Sequence, residues 1–209
     1  MKMNDAPGER LVERVARLSN FFNLQPHAKK QGLAQARALI RNSSFLKGEI
    51  RVSIQWQEAF PDKECYGSAV NVIVNKIAAT GRIHNKLRQS IFFIEADQSG
   101  LQRKGLFAFF TARTEEIEHP IKEVPKQLGT AEFSLTTVDY LCLAVTEPAL
   151  FVRRTFVAIG DRTCKHHPED FFHAPSLFRE KERLRLSSIN INSHPVTSLY
   201  YMVGQVLDA

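Results

Sequence analysis

Only three cysteines occur in the chain, Cys65, Cys142 and Cys164, an odd number at wide spacing. A disulfide scaffold needs pairs, so that class is excluded and reduced thiols in a cytosolic compartment are expected. Long apolar runs are missing too: nothing approaches the ~20 residues required to cross a bilayer. Residues 1–10 do not lead into the uninterrupted apolar core of a signal peptide. The expectation is a soluble, cytoplasmic protein without a membrane partner. Glycine-rich phosphate loops of the G-x-G-x-x-G or G-x-x-x-x-G-K-[ST] kind are absent, as are G-x-S-x-G, C-x-x-C and H-E-x-x-H. No cofactor or reaction type is therefore assigned by motif.

What is present reads as an ordinary folded chain. Hydrophobic residues make up 44% and charged residues 24% of 209 positions, enough for one packed domain. With a single tryptophan, Trp56, and fifteen phenylalanines, the large buried surface falls to Phe, Leu, Ile and Val. Lys and Arg exceed Asp and Glu by 28 to 22, a net charge of +6 that permits contact with a polyanion without requiring it.

Periodicity supplies the elements. Leu11, Val15, Leu18 and Phe22 predict a helix over 8–24, stopped by Pro26, and a basic, Ala-rich helix follows at 27–41. The Asn-Leu-Gln-Pro link between them is longer than the tight turn of a helix-turn-helix, so the pair reads as a helical hairpin. Ile50, Val52, Ile54 and Trp56 alternate with polar residues and predict a strand over 49–57 with one wet face. Residues 68–79 fit both periods; Ser68 as a cap and Gly81 as a stop favour helix. A hairpin is expected from 90–96 and 106–113, strands at 130–135 and 149–159, and a short helix opening at Thr137. A charged helix at 176–185, a strand at 186–191 and a closing helix at 195–207 complete the reading. The fold expectation is a single α+β domain with a mostly antiparallel sheet, helices at both termini and a central helix, residues 1–45 forming a helical N-terminal subregion.

Three constellations carry chemistry. Residues 164–173 gather Cys164, His166, His167 and His173, the side chains that bind zinc or move protons. Their spacing matches no zinc signature, and the stretch reads better as a polar loop held to the core by Phe171 and Phe172. Cys65 precedes the helix at 68, where backbone N–H groups stabilise a thiolate; Cys65 or Cys164 with a histidine is the enzymatic alternative, a hydrolase or transferase. Basic residues form the third group. Arg82, Lys86 and Arg88 precede the expected hairpin and Arg103 and Lys104 stand at its tip, so their convergence makes a phosphate-tracking surface. Arg179, Lys181, Arg183 and Arg185 are set aside because Glu180 and Glu182 interrupt them. The leading expectation is a non-enzymatic binding or regulatory protein that contacts nucleic acid or a nucleoprotein complex through Arg82, Lys86, Arg88, Arg103 and Lys104. A protein-interaction module, or a homodimer formed through a Phe-rich edge, is the third possibility.

Overall fold

Leu11, Val15, Leu18 and Phe22 are all buried along one side of α1 (Pro7–Phe22), as their helical spacing requires. Asn23 ends this helix in the left-handed region (φ 54°), an arrangement asparagine tolerates. The Leu24 N–H then donates to Ser19 O and the Asn23 N–H to Asn20 O, the paired bonds of a Schellman cap. Pro26, expected to stop α1, instead opens α2 (Pro26–Asn42) at a position where its missing donor costs nothing. The computed structural model describes residues 7–42, 50–87, 95–96, 105–163, 172–192 and 198–207.

The remaining helices are α3 (Trp56–Ala59), α4 (Tyr66–Ala78) and α5 (Thr137–Thr146). The doubtful segment at 68–79 is thus helix, and Gly81 closes its end at φ +71°. Of α5 only Ala144 is not buried, so this helix is apolar nearly all round. A reciprocal cap fixes its start: Thr136 and Asp139 each bond the other's backbone N–H.

Among the described residues, eight strands form one sheet. Its order is β1 (Ile50–Ile54), β4 (Phe107–Glu116), β10 (Leu199–Val206), β6 (Thr155–Val157), β8 (His173–Glu180), β9 (Arg183–Asn190) and β2 (Ile83–Asn85). The short β5 (Glu132–Ser134) pairs with the second half of β10, beside β6. Among the described residues the pairings are antiparallel except for β10 with β6 and β2 with β9. The chain is an α+β protein on a mostly antiparallel sheet, as expected. A separate two-stranded ladder joins β3 (Glu95–Ala96) to β7 (Asp161–Arg162).

Both sheet faces are covered in the middle. Phe110, Phe133, Tyr140, Phe156, Leu177, Leu186 and Met202 belong to the main core beneath α4 and α5. On the opposite face Val157, Ala174, Leu199, Tyr201 and Val203 form a second core with Ile121 and Val124 of a 3-10 turn. Each Val, Leu, Ile, Phe or Met among them, fully buried, contributes roughly 1.5–3 kcal/mol of transfer free energy.

Several expected elements differ. The closing helix is the strand β10, which runs through the centre of the sheet. Its Leu199, Tyr201 and Val203 enter one core while Met202 enters the other, and a strand apolar on both faces mimics helical spacing. The charged helix at 176–185 is the hairpin of β8 and β9, turned at Lys181 (φ 54°). Of the expected hairpin of 90–96 with 106–113, residues 90–94 lie outside the described residues; β4 has β1 on one edge and β10 on the other, and Glu95–Ala96 pairs with β7. The strand at 149–159 shortens to β6, preceded by a 3-10 turn at Pro148–Phe151. In β1 the expected wet face is buried as well, because Arg51 and Ser53 lie against α5 and its C-terminal end.

Candidate nucleic-acid interface

The edge of the sheet opposite β1 is built from Arg82-Ile-His-Asn-Lys-Leu87. Ile83 and Leu87 are buried in the main core; Arg82, His84 and Lys86 alternate with them and are exposed. The ladder extends past the strand proper, since the Leu184 N–H donates to Arg82 O and the Lys86 N–H to Leu186 O. The parallel register sets His84 beside Arg185, with Ile83 beside Leu184. Leu184 and Leu186 face the main core, so Arg183 and Arg185 point the other way, beside Arg82 and His84. One further strand along, Phe178 pairs with Arg185 and Glu180 with Arg183. The result is one solvent-facing strip of Arg82, His84, Lys86, Arg183 and Arg185, bordered by Phe178.

Carboxylates near this strip are already engaged. Glu180 pairs with Arg185, and Glu182 lies 3.2 Å from Arg179 across the hairpin turn. Among the described residues Arg82, Lys86, Lys181 and Arg183 have no carboxylate partner. A hollow of about 340 Å³ opens between β2 and the hairpin turn, lined by His84, Lys181, Arg183, Arg185 and the two glutamates. The guanidinium of Arg185 lies 5.9 Å from the centre of the Phe178 ring. A strip of this kind neutralises phosphates and offers an aromatic surface beside them.

Arg113, Arg14 and Arg154 are engaged elsewhere. Arg113 is held by Glu115 and Glu132, which raises its basicity and holds both carboxyls below their usual range. A wider hollow of about 700 Å³ is lined by Arg14, Arg153 and Arg154 with Glu147. There Arg14 donates to Ile50 O and ion-pairs with Glu147 at 3.2 Å, and Arg154 sits 5.2 Å above the Tyr200 ring. The tandem Arg153-Arg154 precedes β6 and does not lie within a strand.

Of the residues singled out in the sequence, Arg82 and Lys86 therefore share one surface. Arg88, Arg103, Lys104, Cys164, His166 and His167 lie outside the described residues. His173 begins β8 and bridges to Thr163. Phe171 is likewise outside, and Phe172, expected to anchor the loop, is 53% exposed. Among the described residues no group of three or more metal-ligating side chains converges. Cys65 is exposed at the N-terminus of α4, where its thiol contacts the Ser68 hydroxyl at 3.1 Å, and no described histidine bonds to it.

Sequence reasoning placed Arg183 and Arg185 on a helix and discounted them, although Arg-Leu-Arg-Leu is a period-two pattern that marks a strand with one basic face. It also missed a buried polar cluster. Asp161 of β7 is fully buried, and its carboxylate accepts from the Thr137 N–H and from the Tyr66 hydroxyl at 3.1 Å. The same hydroxyl accepts from the Val138 N–H at 3.1 Å, so Asp161 and Tyr66 together cap α5. Burial pushes the Asp161 carboxyl up to about 7, against the hydrogen bonds that lower it. Burial likewise drives the Tyr66 phenol well above its ordinary value, with the Asp161 charge adding to the effect.

Fold and surface together define an α+β protein whose mixed sheet carries an arginine-rich open face at one edge. Compared with known protein families, characterised proteins and solved structures, the chain has no match. Among the described residues no helix is long and apolar enough to cross a membrane.

Proposed function

We propose that the protein is a cytoplasmic, non-enzymatic nucleic-acid-binding protein that holds the phosphate backbone along the β2–β9 strip. The observation that carries this reading is the register that sets His84 beside Arg185. It gathers basic side chains from two distant chain segments on one face, where, among the described residues, Arg185 pairs with Glu180 and Arg82, Lys86 and Arg183 have no carboxylate partner. Binding proceeds by charge neutralisation and counterion release, and no bond chemistry is involved. The exposed Cys65 thiol suits a reducing compartment.

The test is a salt titration of oligonucleotide binding by the full chain and by an Arg82→Glu/Arg183→Glu variant. Each phosphate contact contributes a slope of roughly 0.7–0.9 in log K against log salt, so the double variant should flatten the slope by about 1.5 or more. Its affinity at low salt should fall at least roughly 10-fold. Wild-type protein that binds no oligonucleotide at low salt, or a variant that binds unchanged, refutes the reading.

A further inference from the structure

Resting on that reading, we infer that the strip takes single-stranded rather than duplex nucleic acid, with a base placed on Phe178. Arg82, His84 and Lys86 occupy alternate positions along one extended segment. Alternate residues of a strand advance by about 6.6 Å, a step suited to successive phosphates of an extended single strand. Arg82 and Lys86, charged at pH 7, flank the His84 ring, a hydrogen-bonding group, so the three side chains follow a stretched backbone laid along β2.

The second row gives that backbone somewhere to put its bases. Across the sheet His84 is followed by Arg185 on β9 and then by Phe178 on β8. Neighbouring strands are about 4.8 Å apart, so the ring stands about 10 Å from the β2 cations, on the inner side of the strip. A base directed inward from a phosphate on β2 crosses this distance by way of its sugar. In a duplex the bases turn toward the partner strand and cannot reach the sheet.

The Phe178 ring is only partly buried, and Arg185 is fixed beside it by Glu180. Ring and guanidinium form a joint platform whose parts each stack on bases without regard to sequence. The neighbouring apolar side chains of this face, Val157, Ala174 and Ile189, pack in the second core, which leaves Phe178 as the aromatic group bordering the cations.

Fluorescence anisotropy with a fluorescein-labelled oligothymidylate, and with a duplex of equal length at the same salt, separates the two levels of the reading. Single strand should bind at least 10-fold tighter than duplex. Phe178→Leu, which keeps the apolar volume, should weaken single-strand binding about 10-fold, the size of one stacked base, and leave duplex binding unchanged. Ultraviolet cross-linking of wild-type protein to the same oligothymidylate should place the adduct in the β8 peptide that contains Phe178, a readout that needs no variant. Equal or tighter duplex binding, an unaffected Phe178→Leu, or an adduct confined to other peptides overturns the inference while the phosphate-binding reading stands. Failure of both oligonucleotides to bind removes both.

Discussion

Asp161 is a buried side chain whose protonation is coupled to stability. Its carboxyl is fully buried beside the start of α5, with Thr137 and Tyr66 as donors and the Asp139 charge raising its value further. In the unfolded chain it titrates near 3.8, in the folded protein near about 7, so between these values the folded state holds more protons. The contribution of this group is therefore fully present below pH 3.8 and is lost as pH rises toward about 7. At about 1.4 kcal/mol per pH unit the whole effect is on the order of 4 kcal/mol. Asp161→Asn keeps an acceptor for both donors and removes the titration. Urea denaturation at pH 4.5 and 7.5 should show the variant gaining roughly 3 kcal/mol on the wild type between the two conditions. Parallel pH profiles for the two proteins would show that the carboxyl is not the source. Nothing in the sequence marks this site, because Tyr66, Thr137 and Asp161 are brought together only by the packing of α4, α5 and β7.

Elements were legible where one period dominated. The stripe of α1 translates directly into structure, the alternation of β1 marks a strand although both of its faces are buried, and the ambiguous α4 is settled by its glycine stop. Legibility failed where both faces are buried, as in β10, and where charge hid alternation, as in the β8–β9 hairpin. That second difference hid two of the five basic residues of the strip, since a helix would have dispersed Arg183 and Arg185. Within β10, Gly204 is the point of closest approach: a Cβ there would lie 2.3 Å from the Phe133 ring. That ring is almost wholly buried and meets Phe110 edge-on at 5.6 Å, so it has little room to retreat. Gly204→Ala should cost about 1–3 kcal/mol by overpacking, measured by denaturant unfolding, and Phe133→Leu in the same chain should recover part of it. A neutral Gly204→Ala would show that β5 is free to move away from β10.

Across the whole molecule, Glu147 joins parts that are remote in sequence. It lies at the end of α5 and faces Arg14 of α1 at 3.2 Å and Arg51 of β1 at 3.7 Å, all three side chains being at most 10% exposed. Arg51 also donates to Ala112 O on β4. Glu147→Gln would leave two buried guanidinium groups without their shared counter-charge, and a loss of about 3–5 kcal/mol in urea denaturation is expected. A loss below roughly 1 kcal/mol would mean that water already screens the pair. The sheet imposes a further dependence on the order of the chain. β10 separates β1 and β4 from β6, β8, β9 and β2, yet it comes after all of them in sequence. On a ribosome, the earlier segments emerge as two unjoined halves, each exposing a strand edge that awaits the same last partner. The two halves therefore cannot join through the sheet until β10 is present, and until then those two edges are open to pairing with other nascent chains.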